Sequence, residues 1–399
     1  MNNLRGSAFD SFDEINTENE TPANPEKQWS LQTDMKIGFA GQWNSAQLVI
    51  EGNTFTAHVK QQHDELKETL NIKKIKNSEI IKDADKISIH NPPKSSLPII
   101  VIEYVDKSLY LMPEGGLSYC TLIKMSIEGW RTTDKNSLLN QQLTIDDIPV
   151  IVDKCLKFIT TQGSLTQGIY RIAGINRQIM ALLQEFRRNS WAVNLNPSQY
   201  TEHDVANVLK RFFRKLDNPL LTKDLRSLWI GNASIEDADY KLGEYRKLLL
   251  RLPEINYKTL RRLIVHLRAI SEQSQHNLMP VSNLAALWGP TILTVDGMTG
   301  FDFSETAVEV QVISDLTDHF YDLFNVNEQD VIRENNLIRV CKDQQIRENL
   351  EDMDNLPQHI RRPSTGAGDI KVLKINILTR FAITSCAFCL ILAVYNTSF

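Results

Sequence analysis

The segment Gly168–Gly174 (GIYRIAG) holds an arginine, Arg171, between two glycines. Glycine lets a backbone turn tightly, so we expect this segment to form a compact loop. Its apolar side chains, Ile169, Tyr170 and Ile172, can anchor the loop in a core while Arg171 points outward. A guanidinium held in this way suits a phosphate group, because it is planar and permanently charged. The alternative is that Arg171 is a solvated loop residue with no special role.

A second segment, residues 203–221 (HDVANVLKRFFRKLDNPLL), combines an apolar helix face with a basic pair. Lys210 and Arg214 are four residues apart, so on a helix they share a face one turn apart. Two like charges at this spacing repel slightly, which favours an acidic or phosphate-bearing partner. The alternative is a solvated helix face of the ordinary kind.

A third segment, Val281–Leu293 (VSNLAALWGPTIL), is almost wholly apolar or small. We expect a helix that ends at Gly289-Pro290, because proline cannot donate a backbone hydrogen bond. Asn283 is the one amide on this helix. Taken singly, it is best interpreted as a helix cap or as a hydrogen-bonding group of the core.

The part of the chain that must position these segments, residues 144–328, has apolar residues at helical spacing. This pattern predicts one all-α domain of roughly eight helices, large enough for a single core. Asn176, just after the arginine segment, is expected to cap one of these helices. The apolar stripes are Ile148/Val152/Cys155/Leu156/Ile159, Ile179/Leu182/Leu183/Phe186, Val205/Val208/Leu209/Phe212/Leu216, Leu260/Leu263/Ile264/Leu267/Ile270 and Val308/Val312/Leu316/Phe320/Leu323.

The residues before this domain have a different pattern, in which short β-type runs alternate with turn signals. Several short strands at such spacing predict a small barrel or sandwich of about 100 residues. Residues 1–27 are polar and poor in apolar side chains, and we expect them to be disordered. The runs are Gln47–Ile50, Thr54–Val59, Leu97–Val105 and Ser108–Met112, with turn signals at Glu51–Asn53 and Pro113–Gly116.

The overall composition excludes several classes of protein. The 399 residues include 44 Lys/Arg and 49 Asp/Glu, a net charge of −5, with 42% hydrophobic residues. These values are those of a globular chain, not of a collagen-like or wholly disordered one, and they lack the positive field of a typical nucleic-acid binder. Five unpatterned cysteines and an acidic amino terminus without an apolar run favour a reducing compartment. We therefore expect a cytoplasmic protein.

In this order and spacing, the three segments resemble the Rho GTPase-activating (RhoGAP) domain family over roughly residues 144–328. The stretches IDDIPVIVDKCLKFI and YRKLLLRLPEINYKTLRRLIVHL look most like the dual Arf/Rho GAP proteins, which also carry ankyrin repeats and pleckstrin-homology (PH) domains. The resemblance implies a multidomain protein in which an all-α RhoGAP domain follows a small β-rich PH-like domain, residues 28–138. Residues 329–365 are charged and are interpreted as a linker, and the resemblance further implies a truncated Ras-associating segment, 366–380.

The resemblance also implies a role for each residue that matches a family motif. Arg171 takes the position of the arginine finger, which the family inserts into its partner. Lys210 and Arg214 match the basic pair that supports the finger loop and the GTPase surface. Asn283 matches the asparagine that contacts the switch region of the GTPase, and Pro290 matches a structural proline near that surface.

The implied activity is stimulation of GTP hydrolysis by a Rho/Rac-type small GTPase. An arginine supplied in trans stabilises the charge on the transferring phosphoryl group and is worth about 10³–10⁵ in rate. The attacking water and the glutamine that orients it belong to the GTPase, as do GTP and Mg²⁺. We therefore expect no base, nucleophile, metal or cofactor from this chain. The alternative is a non-catalytic module that binds a GTPase or acts as a scaffold.

Lipid binding by the PH-like domain is less favoured than a structural or docking role. The first hairpin offers only Lys36 as a cation, and the basic run Lys73–Lys76 is expected to be a solvated strand or loop edge. The segment after Trp130 also looks short and polar for the closing helix of a PH domain. Weak recruitment to a membrane, through this domain or the apolar tail, stays an alternative.

The tail, residues 381–399, begins with the uncharged run Phe381–Tyr395. As a helix this run spans about 22 Å, less than the roughly 30 Å hydrocarbon core of a bilayer. We interpret it first as a chain end unrelated to the family. The alternatives are a marginal membrane anchor and a buried element of a truncated domain.

Overall fold

The computed structural model describes residues 30–39, 42–51, 54–60, 65–82, 98–131, 136–294 and 303–324, with the isolated positions 336 and 339. The predictions made for residues 1–27, for the linker and Ras-associating segment, and for the apolar tail lie outside these residues, apart from those two positions. Within the described ranges, no helix has both the length and the apolar character needed to cross a membrane.

The first domain is a curled antiparallel sheet of seven strands in the order β4-β3-β2-β1-β7-β6-β5. Alternate residues of the strands are buried, for example Ala46, Leu48 and Ile50, which is the two-residue period expected of a half-buried strand. One face of the sheet therefore forms a core of its own. The strands are β1 (Ser30–Phe39), β2 (Gln42–Glu51), β3 (Thr54–Lys60), β4 (Glu65–Asn71), β5 (Ile75–Ile81), β6 (Ile99–Tyr104) and β7 (Ser108–Pro113).

Helix α1 (Gly116–Arg131) closes this domain, so the closing helix precedes the short, polar segment after Trp130. Cys120, Ile123, Ile127 and Trp130 lie at helical spacing and pack against the sheet core. The amphipathic pattern is obscured because the outer face also carries apolar residues. These are Leu117, Leu122 and Met125, which are 46%, 46% and 61% exposed. The β-rich domain followed by this helix confirms the PH-like fold.

The second domain is helical. Its described part has eight helices of eight residues or more and two single turns, which confirms the predicted architecture. The predicted apolar stripes form its core, with only Leu183 and Val308 partly exposed. The helices are α2 (Val150–Gln162), α3 (Asn176–Asn189), α4 (Glu202–Arg214), α5 (Arg226–Ala233), α6 (Ala238–Arg251), α7 (Glu254–Ser271), α8 (Ser274–Asn277), α9 (Val281–Leu293), α10 (Phe303–Asp318) and α11 (Phe320–Leu323).

Helix α9 does not end at Gly289-Pro290 as the sequence predicts, but continues to Leu293. Pro290 cannot donate a helical hydrogen bond, yet the residues after it, Ile292 and Leu293, are buried in the core. Their packing holds the last turn in place. Gly289 is required by a close approach, since a Cβ there would lie 2.7 Å from the backbone oxygen of Glu309 in α10.

The two domains contact each other through the basic run Lys73–Lys76, so the expectation of a solvated edge is wrong. Lys74 Nζ lies 2.7 Å from a carboxylate oxygen of Asp147, just before α2. Lys76 Nζ lies 5.2 Å from the centre of the Trp191 ring, a cation–π contact. Burial lowers the pKa of Lys73. The charges of Lys74 and Lys76 are thus engaged by the helical domain.

Candidate functional site

The arginine loop, residues 168–175, joins α2 to α3 and turns sharply at its start. The backbone N–H groups of Arg171 and Ile172 both donate to the carbonyl of Gly168, at 2.8 and 2.9 Å. Gly168 has φ of +66° and Tyr170 has φ of +69°, in the left-handed region that disfavours side chains. At position 168 glycine adopts this conformation without strain. Tyr170 keeps the same conformation only because its surroundings hold it.

The side chains of this loop divide into an inner and an outer pair. Ile169 and Tyr170 are fully buried, and the Tyr170 ring packs edge-on against Trp288 with 5.2 Å between ring centres. Arg171 is exposed, and no hydrogen bond or ion pair within the described residues engages its side chain. Ile172 was expected to be a core anchor but is 45% exposed, because the left-handed Tyr170 turns the following residues outward.

Side chains on one face of helix α4 form hydrogen bonds with the backbone of the arginine loop. Three of its side chains, spaced three residues apart, each bind one backbone group. They are Asp204, Asn207 and Lys210, which bind the N–H of Ile175 (2.6 Å), the carbonyl of Ile172 (2.9 Å) and the carbonyl of Tyr170, respectively. Asp204 and Asn207 were not recognised from the sequence. Their spacing of three before Lys210 is the signal that could have found them.

Lys210 and Arg214 do not share an environment as the sequence suggested. Lys210 is 8% exposed and points toward the arginine loop, whereas Arg214 is exposed to solvent. Burial, together with the nearby charge of Arg214, lowers the pKa of Lys210 to about 8. Arg214 reaches α9, where its Nε lies 3.4 Å from the hydroxyl of Thr291. One residue therefore supports the loop and the other faces outward.

Asn176 is not the helix cap that the sequence predicted. Helix α3 begins at Asn176 itself, and the position before it, Ile175, gives its N–H to Asp204. The side-chain oxygen of Asn176 instead accepts a hydrogen bond from Arg211 of α4, at 2.9 Å. This contact is a second tie between α4 and the end of the arginine loop.

Asn283 lies in the first turn of α9 and is linked to the arginine loop through the segment that precedes the helix. Its amide nitrogen donates to the carbonyl of Leu278, at 3.2 Å. The neighbouring carbonyl, of Asn277, accepts from the N–H of Gly168 at 2.8 Å. Pro290 is half-buried near the other end of α9. The structure thus brings the predicted residues onto the arginine loop and the two helices, α4 and α9, that contact it.

The segment from the arginine loop to the end of α4 is positively charged. Residues 168–215 contain eight Lys/Arg and three Asp/Glu, a net +5 in a chain whose net charge is −5. A cleft of about 570 Å³ lies beside it, lined in part by Arg187 and Arg211, but neither Arg171 nor Asn283 lines that cleft. The arrangement suits an acidic macromolecular surface better than a small molecule held in a pocket.

Comparison with known proteins identifies the helical domain. Residues 149–296 match the RhoGAP domain family. The human protein named Arf-GAP with Rho-GAP domain, ANK repeat and PH domain-containing protein 3 is 32% identical over 269 residues, 67% of this chain and 17% of its own length. The mouse protein named Arf-GAP with Rho-GAP domain, ANK repeat and PH domain-containing protein 2 is 32% identical over 251 residues, 62% of this chain and 14% of its own length.

A third relative aligns over a shorter region. Rho GTPase-activating protein 21 from Xenopus tropicalis is 36% identical over 155 residues, 38% of this chain and 8% of that protein. The chain therefore spans less than a fifth of the length of these curated relatives. With the helical core and the arginine loop described above, these matches show that residues 149–296 form a RhoGAP domain.

Proposed function

We propose that this protein stimulates GTP hydrolysis by a Rho-family small GTPase, with Arg171 as an arginine finger supplied in trans. The observation that carries the proposal is an exposed guanidinium, without an intramolecular partner among the described residues, on a loop whose backbone is tied at several points. A free cation on a fixed backbone is ready to enter a phosphate site without first breaking contacts of its own.

The proposed mechanism is electrostatic. Negative charge develops on the phosphoryl group as it leaves GTP, and the Arg171 guanidinium stabilises that charge. Such an arginine is worth about 10³–10⁵ in rate, which corresponds to roughly 4–7 kcal/mol of barrier. Lys210 acts indirectly, by positioning Arg171. Its hydrogen bond to the Tyr170 carbonyl fixes the residue that precedes Arg171 in the chain.

The proposed partner is a Rho/Rac-type GTPase in the cytoplasm, and GTP and Mg²⁺ come with that partner. Arg214, Asn283 and Pro290 are the proposed contact residues on α4 and α9. Support comes from their exposure or partial exposure on the two helices that contact the arginine loop and from the net +5 charge of residues 168–215. This charge steers an acidic surface toward the loop at low salt.

Single-turnover GTP hydrolysis by Rho-, Rac- and Cdc-type GTPases tests this function. The chain is compared with Arg171→Ala and with Arg251→Ala, which removes an exposed arginine of α6 outside the arginine loop and α4. We expect stimulation of at least one GTPase by wild type and by Arg251→Ala, and none by Arg171→Ala. Binding to the GTP-loaded GTPase should survive in all three.

The opposite results are equally informative. Binding without stimulation by wild type would replace the proposal with a GTPase-binding scaffold. Equal stimulation by wild type and Arg171→Ala would remove the arginine finger from the mechanism.

A further inference from the structure

A chain of buried hydrogen bonds runs beneath the arginine loop and plays no part in the mechanism above. The hydroxyl of Tyr170 lies 2.7 Å from Nε2 of His266 in α7, and Nδ1 of His266 lies 3.0 Å from the hydroxyl of Thr160 in α2. Tyr170 and His266 are 0% exposed and Thr160 is 2% exposed. Buried polar groups of this kind are costly unless each donor meets an acceptor.

The direction of every bond in this chain follows from the proton inventory. The Thr160 hydroxyl donates its one proton to the carbonyl of Leu156, at 2.8 Å. Its oxygen then accepts from His266, which assigns the imidazole hydrogen to Nδ1; the opposite tautomer would leave the proton of the Tyr170 hydroxyl without an acceptor among the described residues. Nε2 then carries a lone pair and accepts the hydroxyl proton of Tyr170. The chain thus runs from the arginine loop, through a neutral imidazole, to the backbone of α2.

The surroundings keep this imidazole neutral. Burial, together with the nearby charge of Arg262, lowers the pKa of His266 to about 3. A protonated ring would carry a hydrogen on Nε2 and could not accept from the Tyr170 hydroxyl. The hydrogen bond from Tyr170 to Nε2 therefore requires the neutral ring.

Tyr170 needs such a tie because its backbone conformation is unfavourable. A bulky residue with φ of +69° persists only where contacts hold it. Its carbonyl is held by Lys210, its ring by Trp288, and its hydroxyl by His266. Arg171 is the next residue in the chain, so a small shift of Tyr170 displaces the guanidinium. Misplacement of about 1 Å can lower a reaction rate by 10²-fold.

We propose that His266 is a positioning residue for Arg171, acting through the Tyr170 hydroxyl to set the loop before the GTPase arrives. This proposal rests on the proposed function of Arg171. In this proposal the Tyr170 hydroxyl affects the rate of GTP hydrolysis as well as the stability of the fold.

The matched test compares two buried tyrosines in the full chain. Tyr170→Phe removes the hydroxyl bound to His266, and Tyr245→Phe removes a hydroxyl that donates to Asp315 at 3.1 Å, between α6 and α10. Both rings are fully buried. We expect Tyr170→Phe to lower the single-turnover rate at saturating chain about tenfold, within the range for misplaced groups, and Tyr245→Phe to leave it unchanged. Affinity for a GTPase loaded with a non-hydrolysable GTP analogue should be the same for both.

Two substitutions of His266 separate positioning from simple folding. His266→Gln retains an acceptor near the place of Nε2 and should keep most of the rate, whereas His266→Leu should lower it as Tyr170→Phe does. Tyr170→Phe combined with His266→Leu should be no slower than either single variant, because all three break the same tie.

Each result has one meaning. Equal rates for Tyr170→Phe and wild type, while Arg171→Ala abolishes stimulation, would overturn the positioning role and leave the finger intact. An additive loss in the double variant would also overturn it. No stimulation by wild type would overturn the proposed function and this inference together.

Discussion

Acidification should destabilise the helical domain in a way that depends on His266. The pKa of His266 is about 3 in the folded chain against 6.5 for an ordinary histidine. His266 therefore binds a proton below pH 6.5 in the unfolded chain, but only below about pH 3 in the folded chain. The contribution of His266 to stability is present above pH 6.5 and is lost progressively as the pH falls through this window.

The size of the effect follows from the two pKa values. Each pH unit in the window costs about 1.4 kcal/mol, so lowering the pH from 7 to 5 should reduce the free energy of unfolding by about 2 kcal/mol through this residue alone. His266→Gln has no group that titrates there. Its loss over the same pH interval should be smaller than that of wild type by about 2 kcal/mol.

Urea unfolding at pH 7 and pH 5, for wild type and His266→Gln, measures this difference. All other groups are common to the two chains, so their contributions cancel in the comparison. Nitrogen NMR of the imidazole supplies an independent measurement, in which His266 should show one hydrogen, on Nδ1, at both pH values. Equal losses of stability in the two chains, or a ring that gains a proton between pH 7 and pH 5, would refute the neutral tie to Tyr170.

Three other substitutions test the positioning of the arginine loop and the contact between the domains. Gly174→Ala should reduce stimulation strongly, because its Cβ would lie 2.7 Å from the backbone of Asp204; the hydrolysis assay measures this loss. Lys210→Met should lower the hydrolysis rate. The pKa of Lys210 is about 8, against 10.5 for an ordinary lysine, so between pH 8 and 10.5 only the unfolded chain keeps this proton. Wild type should therefore gain stability relative to Lys210→Met as the pH rises through this range. Urea unfolding measures this gain. Lys74→Ala should cost at most about 1 kcal/mol in unfolding experiments and leave hydrolysis unchanged, because its ion pair with Asp147 is partly exposed and involves no residue of the arginine loop.

The sequence was informative about the site where a local pattern carries the signal. Arg171 between two glycines predicted an exposed cation on a tight loop, and the structure has that loop. The helical stripes predicted the core because burial at helical spacing is a local property of the chain. Ile172 was assigned to the wrong side because the left-handed turn at Tyr170 cannot be read from the residue type.

The contacts that fix the loop could not be predicted, since they join residues distant in the chain. His266 lies 96 residues from Tyr170, within the apolar stretch RLIVHL, where it looks like one more core residue. The tie between Lys74 and Asp147 joins two domains and leaves no local pattern. Helix α1 was missed because apolar residues on its exposed face conceal its amphipathic spacing.

The central claim is that Arg171 stabilises the transition state of GTP hydrolysis and not merely the complex with the GTPase. The most direct measurement is the affinity of wild type and Arg171→Ala for the GTPase in two forms, loaded with GDP and aluminium fluoride or with a non-hydrolysable GTP analogue. Transition-state analogues bind about 10²-fold or more tightly than ground-state ligands where catalysis is differential binding. Wild type should prefer the first form by about that factor, and Arg171→Ala should lose the preference while binding the second form as wild type does. The same preference in both chains would contradict the claim.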